Sequence, residues 1–409
     1  MPNSLIYSPC FDGHRQVYVF VIARLLNELG FHVYLAGNVK QTISNSYYLE
    51  KLIKSPQIKI IDTSGYISEG INIAPDEFLK LQNEFETDLT VFPEADHHIS
   101  LFNSQIGNKK NRFRGKMVGI FLRPFYFYEK MGLLDKLRYL KHLPSGWKKD
   151  DHLFHEFFLK RYSLLSVALY IDENFVANHQ YSSWIPDVFQ EYADSLLQDD
   201  RVDNRSWINK LEEFKHKNAG KFLFLYFGTA QSRRGYDILL NLAAEKEGCF
   251  IHCGLKNSKA KYTYNVEKLR CSLTKNGRLF ETDQFIEDPV CIEYFFRSVS
   301  HLVLPYRHFY GSSGVMLQAL NFGIPVLAPE NGIMGYRIKK YKLGITYDDK
   351  NETNLKSKFD FFRSLDPRTF EYDIKAYMKF QSSDELKKAL IQAFSNPGQS
   401  LNHPILQEK

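Results

Sequence analysis

Two stretches in the second half of this 409-residue chain carry residue types suited to gripping a phosphate anion. The first is Phe227-Gly-Thr-Ala-Gln-Ser-Arg-Arg-Gly-Tyr236, which reads as a strand end, a polar loop with Arg233 and Arg234, and a glycine before a helix. A diphosphate needs fixed cationic donors and a closely approaching backbone, and guanidinium forks match phosphate oxygens. The second is Pro305-Tyr-Arg-His-Phe-Tyr-Gly-Ser-Ser-Gly-Val315, opening a helix that contains Gln318. Gly311, Ser312, Ser313, Gly314 and Val315 would gather backbone N–H groups, two hydroxyls and a positive helix end at one point, which is an anion site. Gly and Ser also begin ordinary capped helices. Two such turns on one sheet favour the anion site.

The elements that must position these turns alternate regularly. In the first half, strand-type runs occur at Leu5–Tyr7, His32–Ala36, Ile58–Ile61, Leu89–Phe92, Met117–Leu122 and Ala168–Ile171. Ile22, Leu25, Leu26 and Leu29 have the spacing of one helix face. After a polar stretch around 198–205, in a connection that allows a short helix around Trp207–Phe214, a second series runs from the strand Phe222–Phe227 through the strand Leu302–Pro305 to the strand Pro325–Ala328. It includes helices at Tyr236–Lys246, Lys261–Thr274, Pro289–Ser300 and Val315–Asn321, a strand at Cys249–Cys253, and further strand residues at Arg278–Phe280 and Phe285. Ser382-Ser-Asp-Glu385 reads as a capping box opening a last helix. Strands alternating with helices mean mostly parallel sheets wrapped by helices, an α/β class with two doubly wound, Rossmann-like domains. Such domains in tandem place a ligand at the carboxyl ends of the strands, facing the cleft between them.

Composition excludes several alternatives. Hydrophobic content of 44% and charged content of 24% belong to a folded globular chain. Five cysteines form no CxxC pair and no metal-binding spacing, so no metal is expected from them. The N-terminus has no basic, then apolar, leader pattern, and no run approaches the ~20 apolar residues of a membrane span. The expected location is cytoplasmic. The net charge of +6 is compatible with an anionic substrate or an anionic membrane surface and does not choose between them. Scattered basic residues without a recognition motif argue against nucleic acid.

From Phe222 to Asp348 the sequence resembles the GT-B glycosyltransferases, specifically the large retaining group called family 4. Gly228 to Gly235 matches the family's glycine, polar loop, basic residue and glycine, with Arg234 at the basic position. Pro305, Gly311–Gly314, Ala319, Gly323 and Pro325-Val326 match a later motif, and Glu330–Gly335 and Leu343–Ile345 its trailing glycines. Phe11-Asp-Gly-His-Arg15 looks like the family's first glycine loop, with Gly13 at the cleft. The resemblance implies an acceptor-side domain over 1–200, a connection over 201–218, a nucleotide-sugar domain over 219–380, and a C-terminal helix and tail over 381–409. It also implies a UDP- or GDP-linked sugar as substrate, a glycan or lipid-linked acceptor, a place in polysaccharide biosynthesis, and no metal or other cofactor. The family's two glutamates, eight positions apart, fall here at Tyr310 and Gln318. Gln can still hydrogen-bond ribose hydroxyls, whereas Tyr supplies no carboxylate. Losing both carboxylates also fits a catalytically silent module that binds a nucleotide sugar or a partner enzyme.

In the first half, Pro93-Glu-Ala-Asp-His-His98 follows a strand end, where a parallel sheet presents ligand residues. A histidine near the reacting sugar in the resembling enzymes nominates His97 or His98, with Asp96 as an orienting or base group. Glu94, Asp96 and a histidine could instead hold a metal, and a polar loop with an N-cap is the third reading. Phe121-Leu-Arg-Pro-Phe-Tyr-Phe-Tyr128 and the lysines after it are either a surface for anionic lipid or a buried strand end followed by a solvated helix.

Overall fold

Short runs that are apolar on both faces are stable only inside a parallel sheet covered by helices on each side. The computed structural model shows that arrangement twice. It describes residues 1–9, 14–38, 52, 54–64, 73–98, 101–102, 113–123, 132, 165–178, 183–187, 206–255, 264–284, 286 and 289–395. The chain divides into one unit of Met1–Phe189 with Phe380–Lys409 and a second unit of Gln190–Lys379.

The first unit holds β1 (Asn3–Tyr7), α1 (His14–Glu28), β2 (His32–Gly37), β3 (Ile58–Asp62), α2 (Pro75–Glu84), β4 (Leu89–Phe92), β5 (Lys116–Phe121), β6 (Val167–Tyr170), α3 (Glu173–Asn178) and β7 (Ser183–Trp184). Its strands lie in the order β3-β2-β1-β4-β5-β6-β7, and every pairing is parallel. Ile6 is in register with Leu35 on one side and Val91 on the other. All four residues of β4 are buried, as a central parallel strand requires. Val17, Tyr18, Val19, Ile22, Leu25 and Leu26 of α1 are buried in the same core.

The first described element of the second unit is α4 (Ser206–Lys217), where the sequence allows a short helix around Trp207–Phe214; its Leu211 and Phe214 are buried. The unit continues through β8 (Leu223–Phe227), α5 (Tyr236–Glu245), β9 (Cys249–Cys253), α6 (Tyr264–Lys275), β10 (Leu279–Glu281), α7 (Pro289–Arg297), β11 (His301–Val303), α8 (Gly314–Asn321), β12 (Val326–Pro329), α9 (Gly332–Tyr341), β13 (Gly344–Tyr347), α10 (Glu352–Ser364) and α11 (Glu371–Phe380). The strand order is β10-β9-β8-β11-β12-β13, again wholly parallel. In each sheet the order reverses once, between β1 and β4 and between β8 and β11. At such a switch point the loops leave in opposite directions and open a crevice at the strand ends.

The last helix, α12 (Ser383–Ser395), starts as its sequence predicts, with the Ser382 hydroxyl accepting from the Glu385 N–H at 3.3 Å. Within the C-terminal helix and tail expected over 381–409, this helix packs on the first unit. Leu386, Ala389, Leu390 and Ala393 join the first unit's core beside α1 residues. The attachment is polar as well: Gln381 Oε1 accepts from the Asp187 N–H at 2.8 Å, and the Asp187 carboxylate accepts from the Tyr18 hydroxyl at 2.9 Å. No described helix is long and apolar enough to cross a membrane. Phe285, most of the basic and aromatic stretch beyond Arg123, and Gly13 lie outside the described residues.

Leu390 is fully buried in that core. Leu390→Ala should therefore lower stability by about 2–5 kcal/mol in denaturant unfolding. A loss within about 0.5 kcal/mol, the range of a surface substitution, would mean that α12 does not complete the first unit.

Candidate functional site

At the second unit's switch point, the loop after β8 and the loop after β11 leave neighbouring strands at the same edge. Backbone geometry draws them together. Gly235 sits in the left-handed region at φ 70°, and a Cβ there would lie 1.7 Å from the Pro305 carbonyl oxygen. Only glycine permits both the conformation and that approach. The Arg307 N–H then donates to the Arg233 carbonyl at 3.0 Å. The two stretches singled out from sequence are thus in direct contact.

Arg234 lies on the short 3-10 turn Ser232–Arg234, and its guanidinium covers Gly228. A Cβ on Gly228, whose φ is 114°, would come within 2.0 Å of Arg234 Nη1. Arg234 is half-buried, and no hydrogen bond or ion pair of its guanidinium is found among the described residues. Arg233 is exposed. On the neighbouring loop, the Ser313 hydroxyl caps α8 by accepting from the Met316 N–H at 3.3 Å. Gly314 is exposed, and Gly311, Ser312, Val315 and Gln318 are partly so. The first amides of a helix have no carbonyl four residues back, and α8 carries no acidic residue in its first turn. This end therefore favours an anion. Tyr310 is buried, and its carbonyl accepts from the Ile333 N–H at 3.0 Å at the start of α9.

Several residues that shape the site escape sequence reading. His252, fully buried in β9, sets Nε2 3.1 Å from the Gly228 carbonyl and Nδ1 3.4 Å from Glu281 Oε1. Glu281 also accepts from the Tyr236 hydroxyl and, at 2.7 Å, from Arg270 Nη1. Burial alone would raise this carboxyl, but the bonds from His252, Tyr236 and Arg270 outweigh it and hold it down to about 2. The carboxylate thereby braces the start of α5 and the floor under Gly228. Arg337 of α9 is fully buried and donates from Nη1 to the Ser312 hydroxyl at 3.2 Å. A histidine or arginine inside an apolar run carries no periodic signal that distinguishes it from core, so spacing could not reveal these roles.

In the first unit, the turn Ala95–His97 follows β4, at the β1/β4 switch point. Asp96 and His97 are both buried. Asp96 Oδ2 accepts from the Leu122 N–H at 2.7 Å, which pins the turn to the end of β5, and His97 Nε2 pairs with Glu94 Oε1 at 2.9 Å. The His98 ring packs near Tyr7 and Phe92, with centroids 5.1 and 5.2 Å away. Burial pushes the Asp96 carboxyl up to about 6, opposed in part by Arg123. Among the described residues, no three His, Cys, Asp or Glu side chains cluster to hold a metal.

No family model and no curated protein matches the chain. Solved structures do. The chain is similar to sucrose-phosphate synthase from Thermosynechococcus elongatus, with a TM-score of 0.62 at 14% identity over 96% of this chain and 98% of that one. It is similar to Anabaena HepE in complex with UDP, at 0.64 and 12% over 97% and 100%. It is also similar to WaaG, a glycosyltransferase involved in lipopolysaccharide biosynthesis, at 0.61 and 14% over 96% and 100%. At these identities the likeness is one of fold: two Rossmann-like α/β units of the GT-B type.

Two outcomes follow from this geometry. Gly235→Ala should cost about 1–3 kcal/mol from the left-handed backbone alone, read in thermal or denaturant unfolding; a neutral change would mean that the turn does not need glycine. For Asp96, a folded pKa near 6 lies above the unfolded value of 3.8. Stability from this group is therefore full below about pH 4 and falls as pH rises toward 6. Measured as the difference between the two proteins, Asp96→Asn should gain on wild type by on the order of 3 kcal/mol between pH 4 and 7. A pH-independent difference would show that Asp96 is not held in this way.

Proposed function

We propose that this protein is a glycosyltransferase moving a sugar from a UDP- or GDP-linked donor to a hydroxyl of a glycan or lipid-linked acceptor. The observation that carries the reading is the half-buried Arg234 guanidinium, over Gly228 and with no hydrogen bond or ion pair among the described residues, on a turn packed against the loop that leads into α8. A cation with no ion pair among the described residues and a helix end with no acidic first turn, after adjacent strands at one edge, together suit an anion. A diphosphate supplies two charged groups, one for the guanidinium and one for the helix end. Among the structures of similar fold, HepE is bound to UDP and, in another case, to UDP-glucose, which supports a nucleotide sugar here.

The chemistry follows from charge. As the bond between the anomeric carbon and the diphosphate oxygen breaks, negative charge grows on that oxygen. Preorganised donors at that place stabilise the transition state more than the ground state. Arg234 and the N–H groups of Ser312 to Val315 would take that role, with Arg233 adding positive potential from the exposed side and no metal required. Gln318 would bond the ribose hydroxyls through its amide. Tyr310, with its ring buried, would shape the sugar pocket by its backbone. Retention of anomeric configuration and a place in polysaccharide synthesis belong to the same proposal. The catalytic role read from the sequence for Asp96 and His97, the one as an orienting or base group and the other near the reacting sugar, belongs to the same proposal.

A thermal-shift panel of nucleoside diphosphates and nucleotide sugars tests this reading. At ~100 times its dissociation constant, a bound ligand adds about 2.7 kcal/mol. At least one diphosphate should shift the wild-type protein, and Arg234→Ala should lose most of the shift. Equal shifts in both proteins would remove Arg234 from the site, and no shift with any nucleotide would end the proposal. Slow release of free diphosphate from a donor without acceptor marks an active enzyme; a panel of donors all left intact would favour the silent binding module.

A further inference from the structure

The edge that carries Arg234 also carries Arg307, four residues before Gly311, and position in the sequence alone would make it an equal candidate for a phosphate. Its bonds exclude that. Arg307 Nη1 donates to the Ser232 carbonyl and to Asp237 Oδ1, each at 2.7 Å, and Nη2 donates to Asp237 Oδ2 at 2.7 Å. Its own N–H is given to the Arg233 carbonyl at 3.0 Å. Both prongs of the fork and the backbone amide are therefore spent on one turn, Ser232–Asp237, which belongs to the other loop. A bidentate pair of this kind fixes angle as well as distance.

Asp237 has a second effect. It lies in the first turn of α5, where its carboxylate complements the positive helix end. α5 thus carries its own negative charge at its positive end, whereas α8 has no acid in its first turn. Of two helix ends at one sheet edge, one is closed to anions and the other is open.

We propose that Arg307 is a positioning residue: neutralised by Asp237, it locks the Ser232–Arg234 turn to the β11–α8 loop, so that Arg234 and not Arg307 meets the diphosphate at the α8 end. The role deepens the nucleotide-sugar reading and rests on it for the ligand, while the lock itself is a property of the ligand-free protein. The two can therefore fail separately.

Hydrogen exchange on ligand-free protein reads the lock. The Arg234 and Gly235 amides bond the Gln231 and Ser232 carbonyls within the turn. In Arg307→Ala and Asp237→Asn these amides should exchange about tenfold faster or more, as local opening becomes easier. Arg307→Lys keeps the charge but loses the fork, and should resemble Arg307→Ala; it also serves if the alanine variant folds poorly. UDP and GDP titrations read the consequence. Each single variant should weaken binding by about ten- to hundredfold, the scale of a group displaced by about 1 Å. The double variant should be no weaker than the worse single, because the two residues act as one unit. If Arg307 touched phosphate directly, Asp237→Asn would free it and tighten binding. Tighter binding in Asp237→Asn, or unchanged exchange in all three variants, overturns the assignment. Faster exchange in a protein that binds neither UDP nor GDP upholds the lock and sinks the ligand reading instead.

Discussion

The approach of one backbone to another at the edge of the second sheet is the constraint on which the candidate site depends. Gly235 packs against the Pro305 carbonyl so closely that no side chain could stand between them. That contact is possible because β8 and β11 are neighbours although they are distant in sequence. Once it is made, the turn carrying Arg234 and the loop leading into α8 become one surface. Charge then divides the labour: Arg307 is satisfied internally by Asp237, and the Arg234 guanidinium lies over Gly228 with no ion pair among the described residues.

Beneath this surface lies a buried polar network that would be costly if any member were missing. Glu281, His252, Tyr236 and Arg270 satisfy one another in a largely buried space, and His252 extends the set to the Gly228 carbonyl. A partly satisfied network in low dielectric is worse than an apolar core, so its completeness argues for a floor that must not move. Preorganisation of this kind is what electrostatic stabilisation of a leaving group requires, because donors that must first reorient spend the energy they would supply. The first unit handles its switch point differently. There Asp96 and the Glu94–His97 pair are turned inward and hold the chain in place.

The return of α12 to the first unit ties the chain's end to its beginning. Its apolar face enters the same core as α1, and Gln381 closes a buried chain of hydrogen bonds through Asp187 to Tyr18. The first unit is thus built from two separated segments of chain, with the second unit inserted between them.

Most of the regular structure is legible in the residues themselves. Period and composition place nearly every described strand within a residue or two, because buried parallel strands are short apolar runs bounded by breakers. The two candidate anion-binding turns are legible for a similar reason: Gly, Ser and Arg have few reasons to cluster at a strand end. What one-dimensional order cannot carry is partnership. Nothing in the spacing of Arg233, Arg234 and Arg307 says which guanidinium is spent on Asp237 and which is left over, since that depends on β8 lying beside β11. Nothing in Cys249–Cys253 separates a core histidine from one that holds up a loop, and nothing in the capping box of α12 says which sheet it will cover. Sequence determined the elements and the chemistry available at their ends; only the tertiary structure decided which charges cancel, because cancellation is a matter of distances between segments that the chain brings together last.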